Sequence, residues 1–383
     1  MTLRTLDDLE VAGKRVLLRA DLNVPLDGAR ITDDFRIRAS LPTIRELLDE
    51  GAASIIVCSH LGRPKGTPDP RFSLAPVAAR LGELLGQDVP LAPMPPTNLP
   101  DARVILLENL RFHPGETAND PAFAASLAFL ADVYVCDAFG AVHRAHASVA
   151  GVPTLLPSAA GRLLEREVAV LSELLSDPAR PFVAVVGGAK VSDKLGVLEN
   201  LLRIADTLVI GGAMCFTFAR AQGLSTGRSL VEEDRVEDCR RLLDVAGDRI
   251  LLPVDVVVAG SMEAGVPTAQ VAIDQIPDDQ AAYDIGKETA RLYVDAIRAA
   301  KTVMWNGPMG VFEIDEFASG TRAVAAGVAL GDAYSVVGGG DSVAALAAFG
   351  YADKVDHVSS GGGAMLELLE GKELPGLTPL RAP

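Results

Sequence analysis

The sequence predicts an α/β protein of two doubly wound, mainly parallel-sheet domains that face a central cleft and are joined by a helix. Three observations predict it. The chain has 383 residues, more than one hydrophobic core usually supports, and 49% of them are hydrophobic. Short apolar, β-branched runs alternate with amphipathic stretches, the pattern of a parallel sheet covered on both faces. The run FVAVV at 182–186 is apolar at every position, as suits a strand buried on both sides.

In chain order, strands are expected at 15–22, 54–58, 103–107, 133–136, 182–186, 207–210, 250–258, 302–305 and 334–337. Helices are expected between them, among others at 41–50, 76–85 and 161–175. The proline-rich stretch 90–100 reads as a surface loop. A loop with Pro153 and Pro157 feeds the long helix, and DPARP then precedes a new strand. This sets an N-terminal domain at 1–160, a linking helix at 161–180 and a C-terminal domain at 181–363.

Composition narrows the function. The net charge of −16 repels polyanions over the surface as a whole, which argues against nucleic acid or an anionic membrane as partner. Phosphate chemistry would have to use local basic clusters. Neither a signal core nor a run of about 20 apolar residues is found, so a soluble cytoplasmic protein is expected. Cys58, Cys136, Cys215 and Cys239 form no Cys-x-x-Cys pair and read as buried reduced thiols.

Ligands of open α/β sheets gather at the carboxyl ends of the strands, and the first half is polar there. In RVLLRADLNVP, the alternate residues Arg19, Asp21 and Asn23 share one strand face. Asp27-Gly28 marks a tight turn that brings Arg36 and Arg38 back. Later strand ends carry His60-Leu61-Gly62-Arg63, then Arg111 and His113, then His143-Arg144-Ala145-His146. Any one of these is ordinarily a surface side chain, and Arg38 and His113 can be no more than that. Repetition inside an acidic protein points to a preformed pocket for a small polyanion, because guanidinium groups bind phosphate and carboxylate bidentately.

The second half is rich in glycine at its strand ends. Gly187-Gly188 is followed by Lys190 and Lys194 where a helix is expected to begin, an anion site or simply two solvated lysines. Gly211-Gly212, WNGPMGVFE (305–313) and VVGGGDS (336–342) follow. Gly339 and Gly340 before Asp341 and Ser342 suit a phosphate on a helix N-terminus with a carboxylate near Mg²⁺, while a plain N-cap is the simpler use of Asp341. Glu313 is either a solvated acid or an acceptor for ribose hydroxyls. No complete phosphate-loop or dinucleotide fingerprint occurs.

Read in order, RADLNVP with ITDDFRIRASLPTI, SHLGRP, LLENLRFHPGE, DAFGAVHRAH, RPFVAVVGGAKVSDKLGVLENLL, LPVD, WNGPMGVFE, VVGGGDS and HVSSGGGAMLELLEGKELPG resemble the phosphoglycerate kinase family nearly end to end. The resemblance implies reversible phosphoryl transfer between 1,3-bisphosphoglycerate with MgADP and 3-phosphoglycerate with MgATP, in a monomer. It implies domain closure and a C-terminal tail, 364–383, that packs back on the N-terminal domain. It places Asp21, Asn23, Arg36, His60, Leu61, Gly62, Arg63, Arg111 and Arg144 at the phosphoglycerate. Lys194, Glu313, Gly339, Gly340, Asp341 and Ser342 would hold the nucleotide, with Asp341 near Mg²⁺. Lys190 and Arg36 would approach the phosphoryl group in transfer. Cys136, Ser342 and Lys287 stand where Asn, Thr and Pro are frequent in the family, and none removes a needed charge.

The acceptor carboxylate is already a nucleophile, so no general base is required and alignment and charge stabilisation remain as the work. The linking helix and 359–363 are hinge candidates. A non-catalytic two-lobed phosphometabolite-binding protein would explain the arginines but not a second, glycine-rich site. A nicotinamide-dependent dehydrogenase would need the missing dinucleotide fingerprint.

Overall fold

The computed structural model describes residues 2–94 and 98–382. The chain divides into two compact units: residues up to Ser172 together with the tail from Glu373, and Glu173–Lys372. The helix Arg162–Ser176 carries the chain across this division. The returning tail starts at Glu373 rather than at 364. The preceding helix Gly362–Leu369 packs on Leu195–Ile204 of the second unit, where Asn200 donates to the Leu369 carbonyl at 2.6 Å.

The first unit is built on six parallel strands in the order Leu91–Ala92, Val104–Leu107, Ser54–Cys58, Arg15–Ala20, Val133–Asp137, Ser158–Ala160. Leu18, Val57 and Val135 of the sheet pack with Ile44 and Leu81 of the helices Phe35–Asp49 and Ala75–Leu85 in one core. The central strand ends at Ala20, two residues before the apolar pattern does, so Asp21 and Asn23 lie in the loop beyond its carboxyl end. The first helix begins at Phe35, six residues earlier than the apolar periodicity suggested. Asp33 accepts the Phe35 amide at 2.8 Å and sets this start, which puts Arg36 in the first turn. The proline-rich stretch is not all loop: Leu91–Ala92 adds an edge strand, while 95–97 lie outside the described residues.

The second unit repeats the plan with Ile250–Leu251, Thr207–Ile210, Phe182–Val186, Thr302–Asn306, Tyr334–Gly338 and His357–Val358, again all parallel. The expected strand 250–258 is two strands in two sheets. Pro253 has no N–H to donate and breaks the run. Asp255–Ala259 then pairs antiparallel with Thr268–Ala272 and Ala281–Ile285. Asp255 accepts from the Thr289 amide at 2.8 Å and its hydroxyl at 2.6 Å, so the carboxylate of LPVD holds the start of the helix Lys287–Ala299.

All four cysteines are buried and unpaired, and burial pushes the Cys58 thiol up to about 12. At the end of Phe182–Val186 the chain passes close to its neighbour, with the Gly187 amide donating to the Asn306 carbonyl at 2.9 Å. A Cβ on Gly187 would collide with the carbonyl oxygens of Gly307 and Pro308. Gly187→Ala is therefore expected to lower unfolding free energy by about 1–3 kcal/mol, read as a shift of the urea midpoint. An unchanged midpoint would show that the backbone relaxes freely there.

Candidate functional site

The carboxyl ends of the first unit's four central strands bring the expected basic residues together. Arg36 Nη1 pairs with Asp21 at 2.5 Å, and Asp21 is nearly buried. Asn23 Oδ1 accepts the Gly62 amide at 2.9 Å, while Arg111 Nη1 donates to the Gly62 carbonyl at 2.8 Å. Gly62 is thus pinned from both sides. It has φ +58°, and a Cβ there would strike the Phe72 ring, so a side chain is excluded both by conformation and by space. Leu61 is buried, and its carbonyl accepts from Asn109 at 2.7 Å.

Electrostatics show what this cluster lacks. Burial, then the charges of Arg19, Arg111 and Arg36, holds His60 well below the usual histidine range. Arg111 is lowered to about 10 by burial and by the neighbouring Arg19 and Arg144. Its Nε–H is buried and has no acceptor among the described residues. Cations crowded in this way repel one another, an imbalance that a bound anion would relieve. Arg63 and Arg144 are exposed, with Arg144 Nε donating to His143 Nε2 at 3.0 Å. Arg38 pairs with Asp34 one turn away, and His113 stacks on Phe123 with its Nδ1 accepting the Gly115 amide. Both are structural.

Arg19 is not a ligand. It is fully buried beneath the cluster and donates to Ser148 Oγ at 2.8 Å and to the Ala20 carbonyl at 2.5 Å. Glu116 also lies under the site and escaped sequence reasoning, since a glutamate in a Pro-Gly-Glu helix start carries no distinguishing signal; His146, grouped with the strand-end basic residues from sequence, is buried. Burial, reinforced by Arg111, Arg19 and Arg144, pushes His146 down to about 4. A histidine depressed in the folded state adds stability that is present above its unfolded value near 6.5 and is lost as pH falls through about 4. The stability difference between the wild type and His146→Gln should therefore shrink by on the order of 3 kcal/mol over that window. A difference independent of pH would rule this out.

In the second unit, a pocket of about 450 Å³ brings Glu313 and Asp341 together with Gly188, Gly212, Phe216, Tyr283 and Met309. Its walls are largely apolar, with few polar groups, as nucleoside sites are. Phe216, Tyr283 and Met309 come from three separate segments, and nothing in their local sequence marks them as lining. Gly339, at φ +93°, precedes the helix Gly340–Ala348, so Asp341 and Ser342 stand in its first turn rather than at the cap. Ser342 is buried, and its Oγ accepts the Gly307 amide at 2.6 Å.

The two lysines differ from what the sequence suggested. The helix begins only at Leu195, with Lys194 at its N-cap, so Lys190 lies in the preceding turn. Lys194 Nζ donates to the Gly187 carbonyl at 2.5 Å, the Asn306 carbonyl at 3.1 Å and Asn306 Oδ1 at 2.6 Å. All three of its protons are engaged within the protein, and burial lowers it to about 8 against the opposing pull of Asp341 and Asp193. Lys190 is exposed. Its turn is anchored where Glu232 accepts from Ser192 N and Oγ at 3.1 and 2.5 Å.

Among the described residues no group of three or more His, Cys, Asp or Glu could hold a metal ion. A single carboxylate at Asp341 still fits Mg²⁺, which typically takes one or two carboxylates and fills its remaining positions with phosphate oxygens and water. No helix among the described residues is long and apolar enough to cross a membrane.

The family model described as phosphoglycerate kinase matches residues 6–372. The phosphoglycerate kinase of Rubrobacter xylanophilus is 56% identical over 387 residues, covering 99% of this chain and 98% of that protein. That of Moorella thermoacetica is 55% identical over 387 residues, covering 98% of each. The solved structure of phosphoglycerate kinase from Coxiella burnetii matches with a TM-score of 0.91 at 42% identity, over 99% of this chain and 98% of that one. The structure from Pyrococcus horikoshii matches at 0.86 and 34% identity, with the same coverage.

Proposed function

The chain belongs to the phosphoglycerate kinase family, and from this premise we propose how its residues divide the transfer of a phosphoryl group between 1,3-bisphosphoglycerate and ADP. The enzyme is a phosphotransferase with a carboxyl group as acceptor, acting in glycolysis and gluconeogenesis. This leaves neither the dehydrogenase nor the non-catalytic binding protein favoured.

Phosphoglycerate is held in the first unit by Asp21, Asn23, Arg36, His60, Leu61, Gly62, Arg63, Arg111 and Arg144. The observation that carries this is the crowding of Arg19, Arg36, Arg111 and Arg144 at one set of strand ends, which holds both Arg111 and His60 below their usual ranges. The nucleotide is held in the second unit, with its base against the apolar pocket wall, its ribose at Glu313 and its phosphates at Gly339, Gly340 and the surrounding amides. Lys194 and Ser342 shape that site from beneath, since their polar atoms already bridge strand ends; a direct phosphate contact requires Lys194 to release an acceptor. Asp341 would hold Mg²⁺, which when bound supplies positive charge at the phosphate oxygens.

Direct transfer needs both substrates aligned at once, and no base is required because the acceptor oxygen carries no proton. Lys190 and Arg36 oppose the charge that builds on the equatorial oxygens of the phosphoryl group. A coupled assay tests the reading: turnover should require 3-phosphoglycerate, ATP and Mg²⁺ together. The exposed Arg63 should act chiefly in binding, so Arg63→Ala should weaken 3-phosphoglycerate by roughly tenfold in calorimetry. An unchanged dissociation constant would remove it from the site.

A further inference from the structure

Beneath His60 lies a chain of hydrogen bonds in which the direction of each proton is fixed. Glu116, Ser148 and Arg19 are all completely buried, and His60 is nearly so. Glu116 accepts the Ser148 amide at 3.0 Å and the Ser148 hydroxyl at 2.7 Å. A hydroxyl has one proton. With that proton on Glu116, Ser148 Oγ can only accept from its other neighbour, and Arg19 Nε–H donates to it at 2.8 Å. Arg19 Nη1 donates to the Ala20 carbonyl, leaving Nη2, which lies 3.1 Å from His60 Nδ1. Guanidinium has donors and no acceptor, so Nδ1 must accept and the ring proton of neutral His60 sits on Nε2.

We infer that Glu116 is a positioning residue that, through Ser148 and Arg19, locks His60 in the Nε2–H tautomer and so presents an N–H donor to the bound phosphoglycerate. This rests on the placement of His60 in the phosphoglycerate site proposed above. The residues are far apart in sequence, 32 positions between Glu116 and Ser148 and 129 between Ser148 and Arg19, so no local motif shows the chain. An ionised carboxylate is what the geometry demands. It is the one acceptor-only group that can take both Ser148 protons, and it is also the counter-charge to the buried Arg19. A glutamine at 116 would have to turn its NH₂ toward one of the two donors, which reverses the Ser148 hydroxyl or strands its amide. His146 Nδ1 lies 3.7 Å from Glu116 but is held neutral by its surroundings, so the arginines balance the glutamate, Arg19 through Ser148 and Arg111 by its nearby charge.

The test uses the full chain labelled with ¹⁵N-histidine, with the tautomer of His60 read from long-range proton–nitrogen correlations. In the wild type His60 should carry its proton on Nε2, and 3-phosphoglycerate should shift that signal. In Arg19→Met, which removes the donor, the Nδ1–H tautomer should appear. In Glu116→Gln and in Ser148→Ala, where Arg19 loses the acceptor that aims Nη2 at Nδ1, it should appear as part of a mixture, and KM for 3-phosphoglycerate should rise roughly tenfold while KM for MgATP stays within about twofold. Ser148→Ala removes only the middle link and serves if Glu116→Gln does not fold. A folded variant that keeps the Nε2–H tautomer overturns the proposal, as does an equal rise in both KM values, which would mark a purely structural role. If 3-phosphoglycerate leaves His60 of the wild type unmoved, the placement of His60 in the site fails, and the proposal with it.

Discussion

Replacing Lys190 by alanine is expected to lower kcat by roughly 10²-fold or more while changing nucleotide affinity little. The argument combines its chemistry with its place. Lys190 is an exposed ammonium on the turn between Phe182–Val186 and the helix from Leu195. The turn is fixed by other residues: Gly188 takes φ +124°, and Ser192 is tied to Glu232. Truncating the side chain therefore leaves the fold and pocket intact. The role proposed for Lys190 is contact with the phosphoryl group in transfer and not with the resting nucleotide, so its loss falls on kcat more than on binding. The value of the ammonium rises where charge develops with water excluded. Steady-state kinetics beside calorimetric titration with ADP separate the two effects, and parallel losses in binding and turnover would count against the role.

Arg36→Ala should be at least as damaging, with kcat/KM falling by roughly 10³-fold, because it does two things at once. In the role proposed above it removes a donor from the transferring group, and it strips the Arg36 partner from Asp21, a nearly buried carboxylate 2.5 Å from Arg36 Nη1. Asp21 then keeps only the Asn23 amide and the charges of Arg19 and Arg111 opposite it, and its carboxylate opposes an incoming anion. The two effects are separable. Asp21→Asn in the Arg36→Ala background should recover much of the loss in KM for 3-phosphoglycerate and little of the loss in kcat. Full recovery of kcat would mean that Arg36 serves only to neutralise Asp21.

The strand-end clusters were legible because each chemistry-bearing run directly follows an apolar run, and parallel sheets gather such ends on one side. The division of labour within them was less so. The two-residue period of RADLNVP correctly set Arg19, Asp21 and Asn23 apart from their apolar neighbours. It also grouped them as ligands, although the strand stops at Ala20 and Arg19 is buried under the site. Alternation tells which side a residue faces, and nothing about whether that side holds solvent or a further layer of protein. The 250–258 run misled for a related reason: hydrophobicity was continuous across Pro253 while hydrogen bonding was not.

By itself, the sequence determined the α/β class, the order of polar strand ends, and the pairing of an arginine-rich half with a glycine-rich half. These follow from local periodicity and residue type. Only the tertiary structure decided which polar groups remain available to a ligand. Lys194 and Lys190 are alike as residues, yet one has its protons engaged by Asn306, 112 positions away, and by Gly187, while the other is exposed. A donor can be used only once, and the partner that uses it is set by which distant segments folding brings within 3 Å.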